Sequence, residues 1–269
     1  EGIHSFADVS NQCLLAIGIK KSQRVADEEH PYGFARDQFI WALISAVGIF
    51  FLGCGVTLYH GIHALFHPEP LTNTGTALAV LLFSFVVESW TLWVAWKAVR
   101  QAAQKANMSM RSFLIHGPDP MGVAVLLEDG AAVLGVLIAA VSLGLAQWTG
   151  NPVWDAIASI SIGLLLGVVA IFLIYKNRTF LLGQSMSAER QKRLVDELAS
   201  DPVVETVSDV KATLIGTDAA RFKAEVDFDG RVIAQRHLDG IDLEALWSRL
   251  DSREDLQHFL VEYGEEIIE

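Results

Sequence analysis

The sequence predicts an α-helical polytopic membrane protein that carries a small soluble α+β domain at its C-terminal end. Three observations predict this class. The 269 residues are 52% hydrophobic, the mean hydropathy is +0.36, and several apolar stretches reach the length of about 20 residues that a helix needs to cross a bilayer. Four such stretches cover 39–59, 74–96, 121–148 and 153–175, and the opening residues up to 19 are expected to be part of a fifth.

Lysine and arginine predict how these five segments are oriented. Basic residues follow the first segment, separate the third from the fourth and follow the last, whereas the loops at 61–73 and 147–152 contain none. Basic loops stay on the cytoplasmic side of a membrane, or on its organellar equivalent. We therefore expect a transmembrane domain over 1–186 and a soluble domain over 187–269 on the cytoplasmic or matrix side. The pattern leaves open whether the membrane is a bacterial inner membrane or a mitochondrial one.

Acidic charge is concentrated in the soluble tail. Residues 1–186 carry 10 Lys or Arg and 12 Asp or Glu, and residues 187–269 carry 10 and 20, so the tail supplies most of the net charge of −12. Such a surface offers no phosphate-neutralising patch, which argues against binding of nucleic acid. The two cysteines, Cys13 and Cys54, lie in apolar segments and do not indicate a disulfide framework.

The tail has the pattern of an α+β domain. Asp229-Gly230 is expected to close its second strand. The order α-β-β-α suggests a ferredoxin-like domain whose final strand is absent. The predicted elements are a helix over 188–199, strands over 203–214 and 221–228, and helices at 243–247 and 256–268.

The first residues contain a candidate metal-binding motif. His4 and Asp8 are four positions apart and therefore stack on one helix face, with Asn11 and Gln12 close by. A neutral imidazole nitrogen and an anionic carboxylate oxygen suit zinc and its neighbours in the transition series. The same spacing also fits a polar helix N-terminus, so the interpretation depends on other segments.

Carboxylates lie at one depth in three segments. Asp8, Glu88 and Asp129, which follows Glu128, lie 9 to 12 residues from the charged residues that mark the cytoplasmic ends of their helices. At a rise of 1.5 Å per residue, these positions are about 14 to 18 Å from the cytoplasmic edge, near the bilayer midplane where transporter sites lie. Ionisable groups at this depth are costly and are functional candidates by default.

These carboxylates cannot all stay charged in hydrocarbon without a cation or protons. A metal ion would join them and protonation would separate them, which is the physical basis of proton-coupled metal transport. The alternative is that each acid is a separate hydrogen-bonding residue between helices. Glu88 could be a ligand, a proton relay or a packing contact.

Weaker candidates lie outside this level. Asp27 and His30 in the first cytoplasmic loop could capture a cation. His60, His63 and His67 could form a metal-release mouth at the outer end of the second segment, although histidines at a membrane interface need no function. Asp155, in the first turn of the last segment, is explained by the helix dipole or by a metal role.

Taken together, these residues resemble the cation diffusion facilitator family of metal transporters. The motifs that carry the resemblance are His4-Ser5-Phe6-Ala7-Asp8, Asp27-Glu28-Glu29-His30-Pro31-Tyr32-Gly33 and Leu127-Glu128-Asp129. Asn151-Pro152 with Asp155 and the tail extend it over essentially the whole chain. Gly150-Asn151-Pro152, Leu182-Gly183 and the run from Arg221 to Arg231 are similar to the zinc transporter 9 branch, whose animal members are mitochondrial.

The resemblance implies six transmembrane helices, a metal site between the second and the fifth, exchange of metal for protons, and homodimers with a cytoplasmic ferredoxin-like domain. Compared with that plan, the chain starts within helix two, so that five helices are visible, and it ends before the last strand. His4, Asp8 and Asp129 match the family's ligands position by position. Val125 stands where the remaining ligand is usual, and the adjacent Glu128 could replace it. The loop keeps Asp27 and His30 but has Phe34 where a further histidine is often found.

The predicted function is transport of a divalent metal, zinc in the first place, out of the cytoplasm or matrix against protons. An oxygen-rich site could instead favour manganese, iron or cobalt. A second alternative is a non-transporting membrane scaffold that dimerises through its tail. The sequence contains no nucleophile–base pair, phosphate loop, cofactor fingerprint or HExxH motif, which argues against an enzyme.

Overall fold

The structure, a computed structural model, describes residues 2–67, 74–216 and 219–268; of residues 2–8, 74 and 266–268 it describes the backbone alone. Its elements in chain order are α1 (Gly2–Ser22), α2 (Asp37–Gly48), a π-helical segment (Ile49–Gly55), α3 (Val56–Phe66), α4 (Thr74–Lys105), α5 (Met110–His116), α6 (Pro120–Thr149), α7 (Val153–Leu182), α8 (Ala188–Ala199), β1 (Val204–Leu214), β2 (Ala220–Phe228), α9 (Gly230–Leu238), α10 (Leu243–Trp247) and α11 (Arg253–Ile268).

The predicted membrane segments are helical. Among the described residues, four helices are long and apolar enough to cross a membrane: Asp37–Phe66, Gly75–Lys105, Pro120–Thr149 and Val153–Leu182. The opening segment forms α1, which packs against α2. These two helices approach closely, since a Cβ atom added to Gly18 would lie 2.7 Å from the Cβ of Trp41. The polytopic helical fold is therefore confirmed.

The second span is interrupted by the π-helical segment Ile49–Gly55. π-Helical segments are rare in proteins, and those that occur are often found at functional sites. Beyond it, α3 lies almost in backbone contact with α7. A Cβ atom added to Gly163 of α7 would lie 2.8 Å from Leu58 Cγ and 3.1 Å from the Leu58 backbone nitrogen of α3. One added to Gly167 would lie 2.9 Å from Cys54 Sγ, at the end of the π-helical segment. Small residues thus permit the close approach of these two helices.

The short helix α5 was not predicted from the sequence, and a buried lysine ties it to α7. Lys176 is 3% exposed. Its Nζ donates hydrogen bonds to the carbonyl oxygens of Phe113 and Leu114 near the end of α5. A cation at a helix C-terminus satisfies carbonyl groups that have no partner within the helix. This contact anchors the loop that precedes α6.

An aromatic pair closes the end of the helical unit at which α2 begins. The rings of Phe39 and Phe180 are stacked with their centroids 4.9 Å apart, and both side chains are fully buried. Leu214 packs against them. The cluster joins the start of α2 to the end of α7.

The chain forms two compact units, Glu1–Gln184 with Leu214–Ala219 and Ser185–Thr213 with Ala220–Glu269. The second unit contains α8, a two-stranded sheet and α9 to α11. Tyr263 on α11 donates a hydrogen bond to the carbonyl oxygen of Ala234 on α9 at 3.1 Å. This α+β composition agrees with the predicted ferredoxin-like tail. The division at residue 186 stays a prediction.

One helix of the tail departs from the sequence-based description. The second strand ends at Phe228, directly before Asp229 and Gly230 as expected, but Gly230 is already the first residue of α9. The Asp229 carboxylate accepts hydrogen bonds from the backbone N–H groups of Arg231 and Val232. Asp229 is therefore a helix N-cap rather than only a turn residue.

Candidate metal-transport site

Helix α6 carries the two adjacent carboxylates near its middle. Asp119 caps the helix by accepting a hydrogen bond from the backbone N–H of Gly122 at 2.8 Å. Pro120 occupies the first helical position, where its missing N–H has no cost. Glu128 and Asp129 consequently lie about 12 to 14 Å along the axis from the helix start. Asp129 is 7% exposed, and Glu128 is half-buried.

A direct hydrogen bond joins α1 to this carboxylate pair. The Nδ2 of Asn11 donates to Oε2 of Glu128. Asn11 is 5% exposed, and its Oδ1 is buried without a hydrogen-bond partner among the described residues. A buried carbonyl oxygen without a partner is costly, so its presence calls for an explanation such as an ion. The sequence had named Asn11 only as a neighbour of the motif.

Asp129 lines a cavity of about 630 Å³ between α1, α4 and α6, which we call the inner cavity. On α6 the lining runs from Asp119 to Asp129, and Gln12 lines it from α1. The cavity therefore connects the start of α6, predicted to face the cytoplasm or matrix, with a carboxylate near the middle of the helix. Most of the remaining lining is apolar, so polar groups are concentrated at its two ends.

Val125 lines the inner cavity together with Asp129, one helical turn away. It also packs against the buried cluster of Leu15, Ala42 and Met121. The position at which the family resemblance leads one to expect a ligand thus faces the site but presents only a hydrocarbon side chain. α6 can supply carboxylate oxygens to an ion here, and at this position it supplies no nitrogen.

The other two predicted ligands belong to α1. His4 and Asp8 fall within its helical backbone, but their side chains lie outside the described part of the chain. Asn11 lies three residues beyond Asp8, about one turn along the same helix. Among the side chains that are described, no group of three or more His, Cys, Asp or Glu residues is arranged to hold a metal ion.

Glu88 occupies a half-buried position on α4. Its backbone carbonyl accepts a hydrogen bond from the Thr91 hydroxyl at 3.0 Å. Thr91 and Trp90 line the inner cavity, and Glu88 is not one of the described residues that do so. The structure thus brings Glu88 within one helical turn of the cavity wall without making it part of that wall.

Asp27 and His30 form a local contact in the loop after α1. Asp27 Oδ1 accepts a hydrogen bond from the backbone N–H of His30 at 2.7 Å and lies 3.1 Å from His30 Nδ1. Partial desolvation raises the pKa of Asp27, but the hydrogen bonds from His30, with the charges of His30 and Arg24, outweigh this and hold the pKa below its usual value. The Phe34 ring packs on both His30 and Arg24. The two predicted capture residues are adjacent, beside a permanent positive charge.

Comparison with known proteins identifies the family to which the transmembrane part of the chain belongs. The model of the cation efflux transmembrane domain matches residues 1–182. The chain is 45% identical over 272 aligned positions to the mouse protein named proton-coupled zinc antiporter SLC30A9, mitochondrial; the alignment covers all of this chain and 48% of the mouse protein. It is 42% identical to metal tolerance protein C4 of Arabidopsis thaliana, covering all of this chain and 60% of the plant protein.

A more distant relative is the cation-efflux pump FieF of Serratia proteamaculans, 24% identical over 95% of this chain and 80% of the pump. The chain spans about half the length of the SLC30A9 relatives that it matches. The matched transmembrane domain includes α1 and α6 and therefore every predicted ligand. The chain belongs to the cation efflux, or cation diffusion facilitator, family.

Proposed function

We propose that this chain forms the ion-binding membrane domain and soluble tail of a zinc transporter that exchanges zinc for protons. Zinc would move out of the cytoplasm or mitochondrial matrix. His4 and Asp8 on α1 and Glu128 and Asp129 on α6 would bind the ion. The names of the animal relatives at 43–45% identity support zinc and protons as substrates and a mitochondrial membrane as the location.

The observation that carries this proposal is the hydrogen bond between Asn11 and Glu128. It joins the helix with the His4–Asp8 motif to the helix with the two carboxylates. Asn11 and Asp129 are both nearly inaccessible to solvent. Two adjacent carboxylates in such surroundings are stable only with a cation or with protons. Their clustering has no purpose in a scaffold, which would not need ionisable groups at this depth.

Competition between zinc and protons follows from the same carboxylates. Zinc binds carboxylate oxygens at about 2.0–2.2 Å and requires that they be deprotonated. When protons from the other side of the membrane neutralise Asp129 and Glu128, the ion loses its anionic ligands and is released. Glu88, one turn from the wall of the inner cavity, would relay such protons. The protein's work is then to expose one site to each side in turn.

Asn11 Oδ1 is a further ligand in this proposal. Val125 supplies no donor atom, so the α6 half of the site has two carboxylate groups and no nitrogen. The amide oxygen of Asn11 is buried and has no partner among the described residues, while its Nδ2 is held by Glu128. This arrangement orients the oxygen and leaves it available to a cation. Asn11 would both position Glu128 and complete the coordination of the ion.

The oxygen-rich composition of the site also supports a second candidate substrate. Carboxylate and amide oxygens suit harder ions than an imidazole nitrogen does, and an imidazole is the ligand that the family resemblance leads one to expect at the position of Val125. Manganese, iron or cobalt could therefore be carried at the same site. The names of the relatives favour zinc, whereas the ligand chemistry favours the harder ions more than a site with two histidines would.

We also propose that the protein is a homodimer in the membrane, as family members commonly are. Exposed apolar side chains on α10 and α11, including Leu243, Trp247 and Leu260, offer a surface that a second copy could cover. Chemical crosslinking in liposomes followed by mass measurement tests this assembly independently of transport. A purely monomeric mass at all protein densities would contradict it.

The test of transport is uptake of zinc, manganese and iron into liposomes that contain the protein and carry an imposed pH gradient. Asp129→Asn is the test variant, and Asp227→Asn, which removes an exposed carboxylate of β2, is the control. Zinc uptake that needs the gradient and is lost in Asp129→Asn alone supports the proposal. Uptake of manganese or iron without zinc keeps the site and changes the substrate. Absence of uptake by folded protein favours the scaffold.

A further inference from the structure

A second polar cavity lies between α3, α6 and α7, and we call it the outer cavity. Its volume is about 460 Å³. On α6 its lining begins at Ala131 and continues to Ala139, whereas the α6 lining of the inner cavity ends at Asp129. At 1.5 Å per residue, the outer cavity therefore begins within one turn of Asp129, on the opposite side from the inner cavity. Asp129 separates the two spaces along α6.

Four polar side chains face the outer cavity from two helices. Thr57 and His60 belong to α3, and Asp155 and Ser159 belong to α7. The side of α6 that faces them is made largely of small residues such as Ala132, Gly135 and Ala139. The space that these small side chains leave open is thus bordered by one imidazole, one carboxylate and two hydroxyl groups.

The close contact between α3 and α7 holds these groups together. A Cβ atom added to Gly61 would lie 2.9 Å from the backbone nitrogen of Ile160 and 3.0 Å from the Cβ of Ser159. His60 precedes Gly61 directly, so it is held beside the turn of α7 that begins at Asp155. Both His60 and Asp155 retain solvent exposure, which leaves their ligand atoms accessible from the cavity.

The structure separates His60 from the two histidines that follow it on α3. The rings of His63 and His67 stack with centroids 4.7 Å apart, and Tyr59 lies beside His63. Neither His63 nor His67 is among the described residues that line the outer cavity. The three histidines therefore do not act as one cluster, and among the described residues His60 alone of the three shares this cavity with a carboxylate of another helix.

We propose that His60 and Asp155 form a low-affinity site at which the transported divalent cation pauses between Asp129 and the outer side of the membrane. This inference rests on the proposed transport function. Imidazole nitrogen and carboxylate oxygen are zinc ligands, and the Thr57 and Ser159 hydroxyls with water would complete the coordination. A cation that has only two strong protein ligands, with water in its remaining positions, is bound weakly. Asp155 also lies in the first turn of α7, where the helix dipole opposes a cation.

Weak binding is what such a position requires. An ion that leaves Asp129 needs a place that replaces part of its coordination shell, yet this place must release the ion readily. The site would also load in reverse, because zinc that accumulates on the outer side can enter the same cavity. Loading from outside gives the site a property that can be measured separately from transport out of the matrix or cytoplasm.

The test measures how strongly zinc on the outer side slows zinc transport in liposomes. In His60→Ala and Asp155→Asn, we expect the outer zinc concentration for half-inhibition to rise about tenfold or more, because loss of a ligand or its support costs at least that much affinity. In the same two variants, the KM for zinc on the inner side should change less than about twofold. His63→Ala, one turn further on α3 and outside the cavity, is the matched control and should behave as the unmodified protein does.

A gain-of-affinity variant distinguishes loss of a ligand from misfolding, because a misfolded protein would not bind zinc more tightly. Ser159→His places an imidazole four residues after Asp155, so that both ligands lie on one helix face. Half-inhibition should then occur at about tenfold lower outer zinc, and adding His60→Ala should cancel this gain. Unchanged outer-zinc inhibition in His60→Ala and Asp155→Asn, or no gain in Ser159→His, would overturn the inference.

Equilibrium zinc binding distinguishes failure of the inferred His60–Asp155 site from failure of the proposed transport function. In an Asp8→Asn/Asp129→Asn background, which removes two of the proposed central ligands, Ser159→His should restore zinc binding, and adding His60→Ala should abolish the restored binding. This result is expected even if the protein transports no zinc at all. No restored binding in folded protein would contradict the site irrespective of the outcome of the transport assay.

Discussion

Asn11 on α1 donates a side-chain hydrogen bond to Glu128 on α6, although the two residues are 117 positions apart in the chain. The bond places beside the carboxylate pair an amide whose oxygen is buried and has no hydrogen-bond partner in the part of the chain that the structure describes. It therefore relates the histidine–aspartate motif of α1 to the acidic pair of α6 through one contact. The proposed site depends on that relation.

Replacing Asn11 by leucine should weaken zinc transport without unfolding the protein. Leucine has the same branching and the same number of side-chain heavy atoms as asparagine, and it removes both the contact with Glu128 and the amide oxygen. We expect the KM for zinc to rise about 10- to 100-fold, as for other losses of groups that hold or orient a ligand. Cys13→Ser on the exposed side of the same helix is the control. An unchanged KM in Asn11→Leu would exclude Asn11 from the site.

Introducing histidine at position 125 should shift the metal preference toward zinc. Val125 lines the inner cavity with Asp129, so an imidazole there would add a nitrogen ligand one turn from the carboxylate. Competition assays should show the preference for zinc over manganese rising about tenfold, because nitrogen donors favour the softer ion. Val125→Leu keeps the apolar character and should leave the preference as it is. A shift toward manganese in Val125→His would contradict the assignment of this face to the ion.

Adding a methyl group at Gly61 should destabilise the contact between α3 and α7. The new Cβ would lie 2.9 Å from the backbone nitrogen of Ile160, which cannot move without the helix. Overpacking of this kind costs about 1–3 kcal/mol. Gly48→Ala is the matched control, because no heavy atom lies within 4 Å of its added Cβ. Thermal unfolding in detergent should show a lower midpoint for Gly61→Ala only, and equal midpoints would contradict the packing described.

The contact between Asp27 and His30 should weaken in acid. Hydrogen bonds and charge from His30 and the charge of Arg24 lower the pKa of Asp27. The stabilisation of this loop is therefore fully present above the usual carboxyl pKa and is lost as the pH falls through the lowered pKa. Carbon-13 NMR titration of labelled aspartate, assigned with Asp27→Asn, measures the midpoint. A midpoint above that of ordinary aspartates would show that the loop does not stabilise the charged form.

Much of the fold was predictable because hydrophobic periodicity and length determine membrane helices. The helix Ala188–Ala199 and the short helix Leu243–Trp247 coincide with the predicted ranges. By contrast, α9 was missed because Asp-Gly is typical of turns and Asp229 is also a helix cap. The π-helical segment had no counterpart in the pattern, since a local change of hydrogen bonding leaves the apolar composition unaltered.

The candidate site was predictable to the extent that its residue types reveal ligands. The acidic pair Glu128–Asp129 was found because charges are unusual in an apolar helix. The role of Asn11 could not be predicted, because its partner is defined only when α1 lies against α6. The separation of His60 from His63 and His67 likewise depends on which helix face meets α7, and spacing within one helix cannot determine this.

The most direct test of the central claim is the number of protons released when zinc binds to the purified protein. Zinc titrations in buffers of different ionisation enthalpy measure this number. If zinc and protons compete for Glu128 and Asp129, the unmodified protein should release about one to two protons per zinc near neutral pH. Glu128→Gln/Asp129→Asn should lose that release together with most of the affinity. Zinc binding with the same affinity and proton release in both proteins would contradict the account.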